Sequence, residues 1–440
     1  MSDVPTENAI SRAEAAQQSG DFDAAEQALR NLLELDADHL MARNNLAALV
    51  ARRGDAAAAV DILDELIAEE PGYSSAHFNR ANALLALGRN EDAIAAFRAV
   101  TALEPDHIDA HRALAFQWLS RGDRDRAMDH FARTYDLRRG EGRTGVAERS
   151  LRTASAAKLK HDSDLFRNLP PRVRDGHKFE NLARIYDSVA ADLGKALVEL
   201  SGEQLETLGP DYNTALHLID APEIFSGAVN PDLDGAAIQA AWSRDSTCLV
   251  TIDDLLTPRA LALIQRFLKE STIWHDFTHI GGFVATYLED GFACPLVLQI
   301  ADEFRAALPG LLGHHPLTQA WAFKALSGER PIDIHADDAA VSLNFWVTAD
   351  TANRNPDTGG LIIYTEPPPE DWPIVDYDAD QARIRSFLAE NGDSAIVVPY
   401  RQNRGILFNS RLFHGTHRPD FAPGYENHRI NVTLLFGTCG

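Results

Sequence analysis

Small and apolar positions recur along the first part of the chain with a period of 34 residues, first at Gly20, Gly54, Gly88 and Gly122. Ala13, Ala47, Ala81 and Ala115 repeat in register with these glycines, and so do Ala25, Ala59, Ala93 and Ala127. A period of this length predicts units of helix, turn and second helix, each too small to bury its apolar face except against its neighbours. Alanine at two fixed positions lets the paired helices approach closely. Pro71 and Pro105, with Ala37 in the first unit, mark where the second helices stop. Four units therefore run from about residue 6 to residue 139. Beyond them, Phe179 to Tyr186 carries apolar residues at helical intervals and predicts further helices that cap the array. From about residue 245 the pattern changes to apolar, β-rich runs: Val341–Val347, Gly405–Phe413 and Arg429–Phe436 predict strands. The fold class expected is multidomain α + β, with a repeat region at 1–139, a helical linker at 140–235 and a sheet-rich domain at 236–440.

Residues that carry chemistry sit at the ends of these predicted strands. His335 and Asp337 are separated by one residue just before the first run, His414 follows the second, and Arg429 opens the third. Two imidazoles and one carboxylate can occupy one face of an octahedral metal and leave the remaining positions open, an arrangement suited to non-haem Fe(II). A strand has a period of two, so Arg429, Asn431 and Thr433 share one face while Ile430, Val432 and Leu434 share the other. A polar stripe that begins with arginine inside an apolar domain calls for an anionic ligand, because a guanidinium can meet a carboxylate with two parallel hydrogen bonds. His417 competes with His414, and Asp338 with Asp337. His414 is preferred because it directly follows the strand whereas Thr416–Pro419 reads as turn. Asp337 is preferred because a spacing of two places it beside His335.

With these residues in this order, the segment from about 245 to 440 resembles the Fe(II)- and 2-oxoglutarate-dependent dioxygenases of the prolyl-hydroxylase-like branch. The resemblance includes a helix after Val250–Leu256, the His335-x-Asp337 pair, a Gly359-Gly360-Leu361 turn into a strand, the distal histidine and the arginine. It implies a double-stranded β-helix of the jelly-roll type. It also implies iron held by His335, Asp337 and His414, and 2-oxoglutarate held at its far carboxylate by Arg429, with Asn431 beside it. Dioxygen would be the second co-substrate, and hydroxylation of a substrate carbon would be coupled to release of succinate and carbon dioxide. The interval from His414 to Arg429 is longer than the tidiest family pattern. The N-terminal units resemble tetratricopeptide repeats, although Leu29 and Leu63 stand where Phe97 and Phe131 keep an aromatic. Stacked repeats of this kind hold a peptide or protein in a concave groove, and Asn45 and Asn79 occupy equivalent first-helix positions suited to gripping a peptide backbone. Together the two halves resemble the layout of protein hydroxylases. The substrate expected is therefore a protein or peptide side chain; an oxygenase of a small metabolite, or a scaffold with an inactive barrel, is the alternative.

Composition narrows the partners. A net charge of -24 repels phosphate backbones, and no basic stripe offsets it, which argues against nucleic acid. No apolar stretch approaches the ~20 residues that span a bilayer, and the first residues lack a basic and apolar signal region. Cys248, Cys294 and Cys439 are widely spaced and odd in number, so neither a disulfide framework nor a zinc motif is indicated. These features predict a cytoplasmic protein. Between the HxD pair and His414, residues 366–396 form an insert containing a predicted short helix from Asp380 to Glu390, read as a lid over the iron.

Overall fold

The computed structural model describes residues 4–140, 149–173, 177–194, 196–244, 247–277, 282–326, 332–369, 372, 380–391 and 394–438. The chain divides into two compact units, residues 1–117 and 118–440.

In the first unit the 34-residue period becomes helix pairs. Helices α1 (Val4–Gln18) and α2 (Phe22–Leu35) form the first pair, α3 (Leu40–Arg52) and α4 (Ala56–Glu69) the second, and α5 (Ser74–Ala86) and α6 (Asn90–Leu103) the third. Helix α7 (Ile108–Ser120) begins the fourth, and α8 (Arg124–Arg139) completes it in sequence. The repeating alanines at 13, 47, 81 and 115 and at 25, 59, 93 and 127 are all buried. The glycines have a different reason: Gly20, Gly54, Gly88 and Gly122 all take positive φ, from 70° to 99°, with open space where a Cβ would stand. They end the first helix of each pair in the left-handed region that other residues avoid.

One residue after each glycine is a helix N-cap. Asp21, Asp55 and Asp123 each accept a hydrogen bond from the backbone N–H three residues on, at 3.0, 3.0 and 3.2 Å. The third repeat has Arg89 there, with no side-chain cap. Arg89→Asp is expected to raise the stability of the first unit by about 0.5–1 kcal/mol and Asp55→Ala to lower it by about 1 kcal/mol. The exposed Arg89–Asp92 pair lost in the first variant is worth less. Thermal melts of the full chain check both signs.

The division between the units falls earlier than the predicted boundary at 139. Helix α8 is tied into the second unit: the Tyr135 hydroxyl lies 3.1 Å from His275 Nε2, and buried Arg139 pairs with buried Asp290 at 3.2 Å. The predicted linker helices appear as α9 (Ala156–Asn168) and α10 (Lys178–Ala191), which pack on each other within the same unit. They do not form a third compact body.

Besides a two-residue antiparallel ladder of Thr153–Ala154 with Val198–Glu199, the described strands of the second unit are β1 (Val250–Ile252), β2 (Phe283–Tyr287), β3 (Leu317–Ala325), β4 (Val341–Trp346), β5 (Leu361–Tyr364), β6 (Ala395–Val398), β7 (Gly405–Asn409), β8 (His414–Thr416) and β9 (Ile430–Phe436). Six make an antiparallel sheet in the order β1-β7-β4-β9-β3-β2, and three make a smaller one in the order β8-β5-β6. Central β9 is buried at every position, including its polar ones. Helix α11 (Pro258–Glu270), capped by the Thr257 hydroxyl, follows β1 as predicted. None of the described helices is long and apolar enough to cross a membrane.

On β3, Trp321 and Phe323 face the interior cleft described below, and alternation sends Lys324 to the other side. There Lys324 is fully buried, donates to the Tyr425 hydroxyl at 2.8 Å and lies 4.1 Å from that ring's centroid. Nearby on α9, Lys158 donates to both Asp162 oxygens, at 2.8 and 2.6 Å, and His161 Nδ1 donates to the same carboxylate at 2.9 Å. Burial, then neighbouring Lys324, brings the His161 pKa down to about 4 against the upward pull of Asp162. Burial and Lys324 likewise take His428 to about 3.

The sign of the pH effect follows. The unfolded chain protonates these histidines near pH 6.5, while the folded chain refuses the protons, so stability falls as pH drops from about 6.5 to about 4. The slope is about 1.4 kcal/mol per pH unit for each histidine. Thermal midpoints of the full chain should be flat between pH 7 and 8 and fall steeply below 6.5, and His161→Gln should reduce that slope. A profile flat to pH 4.5 would contradict the neutral assignment.

Candidate metal centre

The segment ahead of β4 and the first residue of β8 meet as an antiparallel bridge. His335 N–H donates to the His414 carbonyl at 2.9 Å, and His414 N–H donates to the His335 carbonyl at 2.7 Å. Residues directly opposite in such a bridge project to one face, so the two imidazoles stand together, their centroids 4.3 Å apart. Alternation puts Asp337 on the same side, where its N–H is anchored on the Ser410 carbonyl at 3.0 Å. Asp337 Oδ1 lies 3.9 Å from His335 Nε2, and Asp337 Oδ2 lies 3.6 Å from His414 Nε2. Asp337 and His414 are buried, and His335 is half-buried.

The imidazoles are oriented for ligation. His335 Nδ1 lies 2.9 Å from the Asp333 carbonyl and His414 Nδ1 3.0 Å from the Leu412 carbonyl. A carbonyl only accepts, so both Nδ1 atoms carry the proton and both Nε2 atoms present lone pairs to the space they share with Asp337. Burial, reinforced by neighbouring His335, brings the His414 pKa down to about 4, so it is neutral at physiological pH as a ligand must be. Ser342 donates to Asp337 Oδ2 at 2.6 Å, leaving Oδ1 without that partner. One donor atom from each residue can be chosen so that all three lie within 4.8 Å of one another. Cis ligands at ~2.1 Å from a metal stand about 3 Å apart, so a small inward movement closes the set. The three residues could hold a divalent metal and leave other positions of the ion open.

The predicted competitors fall elsewhere. Asp338 is exposed, and His417 belongs neither to this group nor to the cleft lining. His414 does not close the β7 strand as predicted: β7 ends at Asn409, a turn follows, and His414 opens β8 in the smaller sheet. Bridging between sheets is what brings it to His335.

The donor atoms open on a narrow cleft that Arg429 and Asn431 also line. Arg429 is 2% exposed; its Nε donates to the Gly359 carbonyl at 2.6 Å, and a terminal nitrogen reaches the Gly360 carbonyl at 3.4 Å. A Cβ at Gly360 would lie 1.8 Å from the Val398 carbonyl, so only glycine lets this turn approach. Burial lowers the Arg429 pKa to about 10, which leaves the group charged at neutral pH. Among the described residues no carboxylate pairs with it. Sequence reasoning missed Ser342 and Asn344, which period-two alternation along β4 places on the Asp337 side, and the aromatic wall of Trp321 and Phe323.

The described part of the insert lies behind the ligands. Helix α12 (Gln381–Glu390) packs Ile384 and Leu388 against Ile334, Ala336 and Phe413, and Gln381 donates to the Ile334 carbonyl at 2.6 Å. Ile334 and Ala336 alternate with His335 and Asp337, so this helix buttresses the ligand-bearing segment from the side away from the cleft. Residues 370, 371, 373–379, 392 and 393 of the predicted lid lie outside the described residues.

In comparisons with known proteins, the tetratricopeptide repeat family matches at residues 10–74 and 50–116. Among solved structures, the crystal structure of MamA protein is 21% identical, covering 30% of this chain and 73% of that one, with a TM-score of 0.27. MamA from Desulfovibrio magneticus RS-1 is 24% identical over 31% of this chain and 77% of its own, with a TM-score of 0.28. A mutant O-GlcNAc transferase of Thermobaculum terrenum is 28% identical over 34% of this chain and 30% of its own, with a TM-score of 0.29. No curated protein matches the chain.

Proposed function

We propose that the chain is an Fe(II)- and 2-oxoglutarate-dependent oxygenase that hydroxylates a protein or peptide side chain, with the tetratricopeptide units recruiting the polypeptide. The observation that carries this reading is that three side chains able to hold a metal line one cleft with a buried arginine for which no carboxylate partner is found among the described residues. A six-stranded and a three-stranded antiparallel sheet, with His414 at the start of β8 bridged to His335 ahead of β4, are consistent with a double-stranded β-helix. When bound, iron would supply dioxygen activation coupled to decarboxylation of the 2-oxo acid. The chain's own residues do the rest: His335, Asp337 and His414 hold the ion, Arg429 neutralises and orients the far carboxylate, and Trp321 and Phe323 exclude water along one wall. A cytoplasmic setting suits Cys248 and Cys294, which form no disulfide among the described residues.

Polypeptide is favoured as substrate because repeat arrays present extended grooves. In the structure Asn79 does not stand free beside Asn45 but donates to buried Asn44 at 2.9 Å, and Asn44 donates to Asn45 at 3.4 Å, so the amides form a short chain across α3 and α5. The test is coupled turnover: Fe(II), 2-oxoglutarate and a peptide retained by the full chain should give succinate in step with a 16-dalton gain on the peptide. A retained peptide left unmodified, with succinate released only on addition of a small metabolite, would replace polypeptide by metabolite.

A further inference from the structure

A row of aromatic rings on β2 and β3 continues the wall of the cleft toward the edge of the sheet. Trp321 and Phe323 line the cleft, and their register partners on β2 are Tyr287 and Ala285. Trp321 and Phe323 lie nearly parallel, with 22° between their planes and centroids 5.8 Å apart. Tyr287 stands across both, at 62° and 80°, with centroids 6.2 and 6.5 Å away. Phe283 packs on Phe323, centroids 4.8 Å apart, and is buried, whereas Trp321, Phe323 and Tyr287 are half-buried and keep surface open. At the end of the row Glu289 accepts a hydrogen bond from Gln319 at 3.4 Å, and Gln319, two residues from Trp321, shares its face of β3. Arg138, whose charge reaches Glu289, pairs with Asp290 at 3.2 Å, and Glu289 forms no ion pair among the described residues. Burial, then the charges of Asp276 and Glu289, raises the Tyr287 pKa, so two carboxylates border this ring.

Aromatic faces set at steep angles to one another, with a carboxylate at their end, match a cation. An apolar side chain suits the rings but leaves Glu289 without a counter-charge, and an acidic one is repelled. A guanidinium is planar, is more weakly hydrated than an ammonium, stacks on an aromatic face and meets a carboxylate through two N–H groups. The net charge of -24 attracts a basic polypeptide at longer range. We propose that the cleft reads its polypeptide through an arginine side chain laid along Trp321, Phe323 and Tyr287, with the guanidinium toward Glu289. This deepens, and rests on, the oxygenase reading of the cleft.

The test is calorimetric titration of the full chain, loaded with redox-inert Mn(II) and 2-oxoglutarate, with two end-blocked pentapeptides, Gly-Gly-Arg-Gly-Gly and the same peptide with citrulline in place of arginine. Citrulline keeps the length and plane of arginine and removes its charge. The arginine peptide should bind about tenfold more tightly. Glu289→Gln should bring the ratio of the two affinities close to one, and Trp321→Leu should lower it. If Trp321→Leu fails to fold, Glu289→Gln decides. Equal affinities in the wild-type chain, or binding of neither peptide, would overturn the arginine assignment, while loading with Mn(II) and 2-oxoglutarate would leave the oxygenase reading intact. Failure of the chain to take up Mn(II) and 2-oxoglutarate would overturn both.

Discussion

Asp337→Ala is expected to abolish Fe(II) binding and with it all coupled turnover. Of the three proposed ligands Asp337 is the one carboxylate, and its removal would leave two imidazoles, too few to hold Fe(II) against water. Loss of a supporting partner costs about 10–100-fold in metal affinity, the range expected for Ser342→Ala, which removes the hydrogen bond to Oδ2. Loss of the ligand itself should exceed that range. Anaerobic titration with Fe(II) and 2-oxoglutarate, followed by the visible charge-transfer band, checks both variants, with His414→Ala expected to behave like Asp337→Ala. His417→Ala should keep the band, because His417 lies outside the group of donors. A band that survives in His414→Ala and disappears in His417→Ala would reverse the ligand assignment.

Arg429→Ala should separate the co-substrate from the metal. Fe(II) affinity should stay within a few-fold of wild type, since Arg429 is not a metal ligand, while 2-oxoglutarate affinity should fall by about 2–5 kcal/mol, that is ~30-fold to several thousand-fold. The size reflects burial: at 2% exposure the guanidinium meets a carboxylate away from competing water. Arg429→Lys keeps the charge but loses the fork that also reaches the Gly359 and Gly360 carbonyls, so it should recover only part of the affinity. The same titration, run at fixed saturating Fe(II) with varied diacid, measures both. Unchanged diacid affinity in Arg429→Ala would remove Arg429 from the anion subsite.

These two predictions also show what sequence can carry. The residues of the triad and the arginine are readable because strand period and order along the chain place them at run ends. The choice of Asp337 over Asp338 follows from alternation alone, and the structure leaves Asp338 exposed. The orientation of the imidazoles does not follow from sequence. It depends on the carbonyls of Asp333 and Leu412, and nothing in the residue types marks which carbonyl will be within 3 Å.

The period of 34 residues by itself determined the helix pairs of the N-terminal unit, because each pair repeats the same local demands: alanine where helices touch, glycine where φ must be positive and, in all but the third, aspartate where a helix needs a cap. Local interactions of that kind are written within a few residues of where they act. Only the tertiary structure decided that α8, the last helix of the periodic pattern, belongs to the second unit through Tyr135 with His275 and Arg139 with Asp290, partners 140 and 151 residues away. Only it decided that His414 opens a strand of the smaller sheet and that the insert helix packs Ile384 and Leu388 against Ile334, Ala336 and Phe413. Pairing between distant strands sets these features, and no local pattern records which distant strand will be the neighbour.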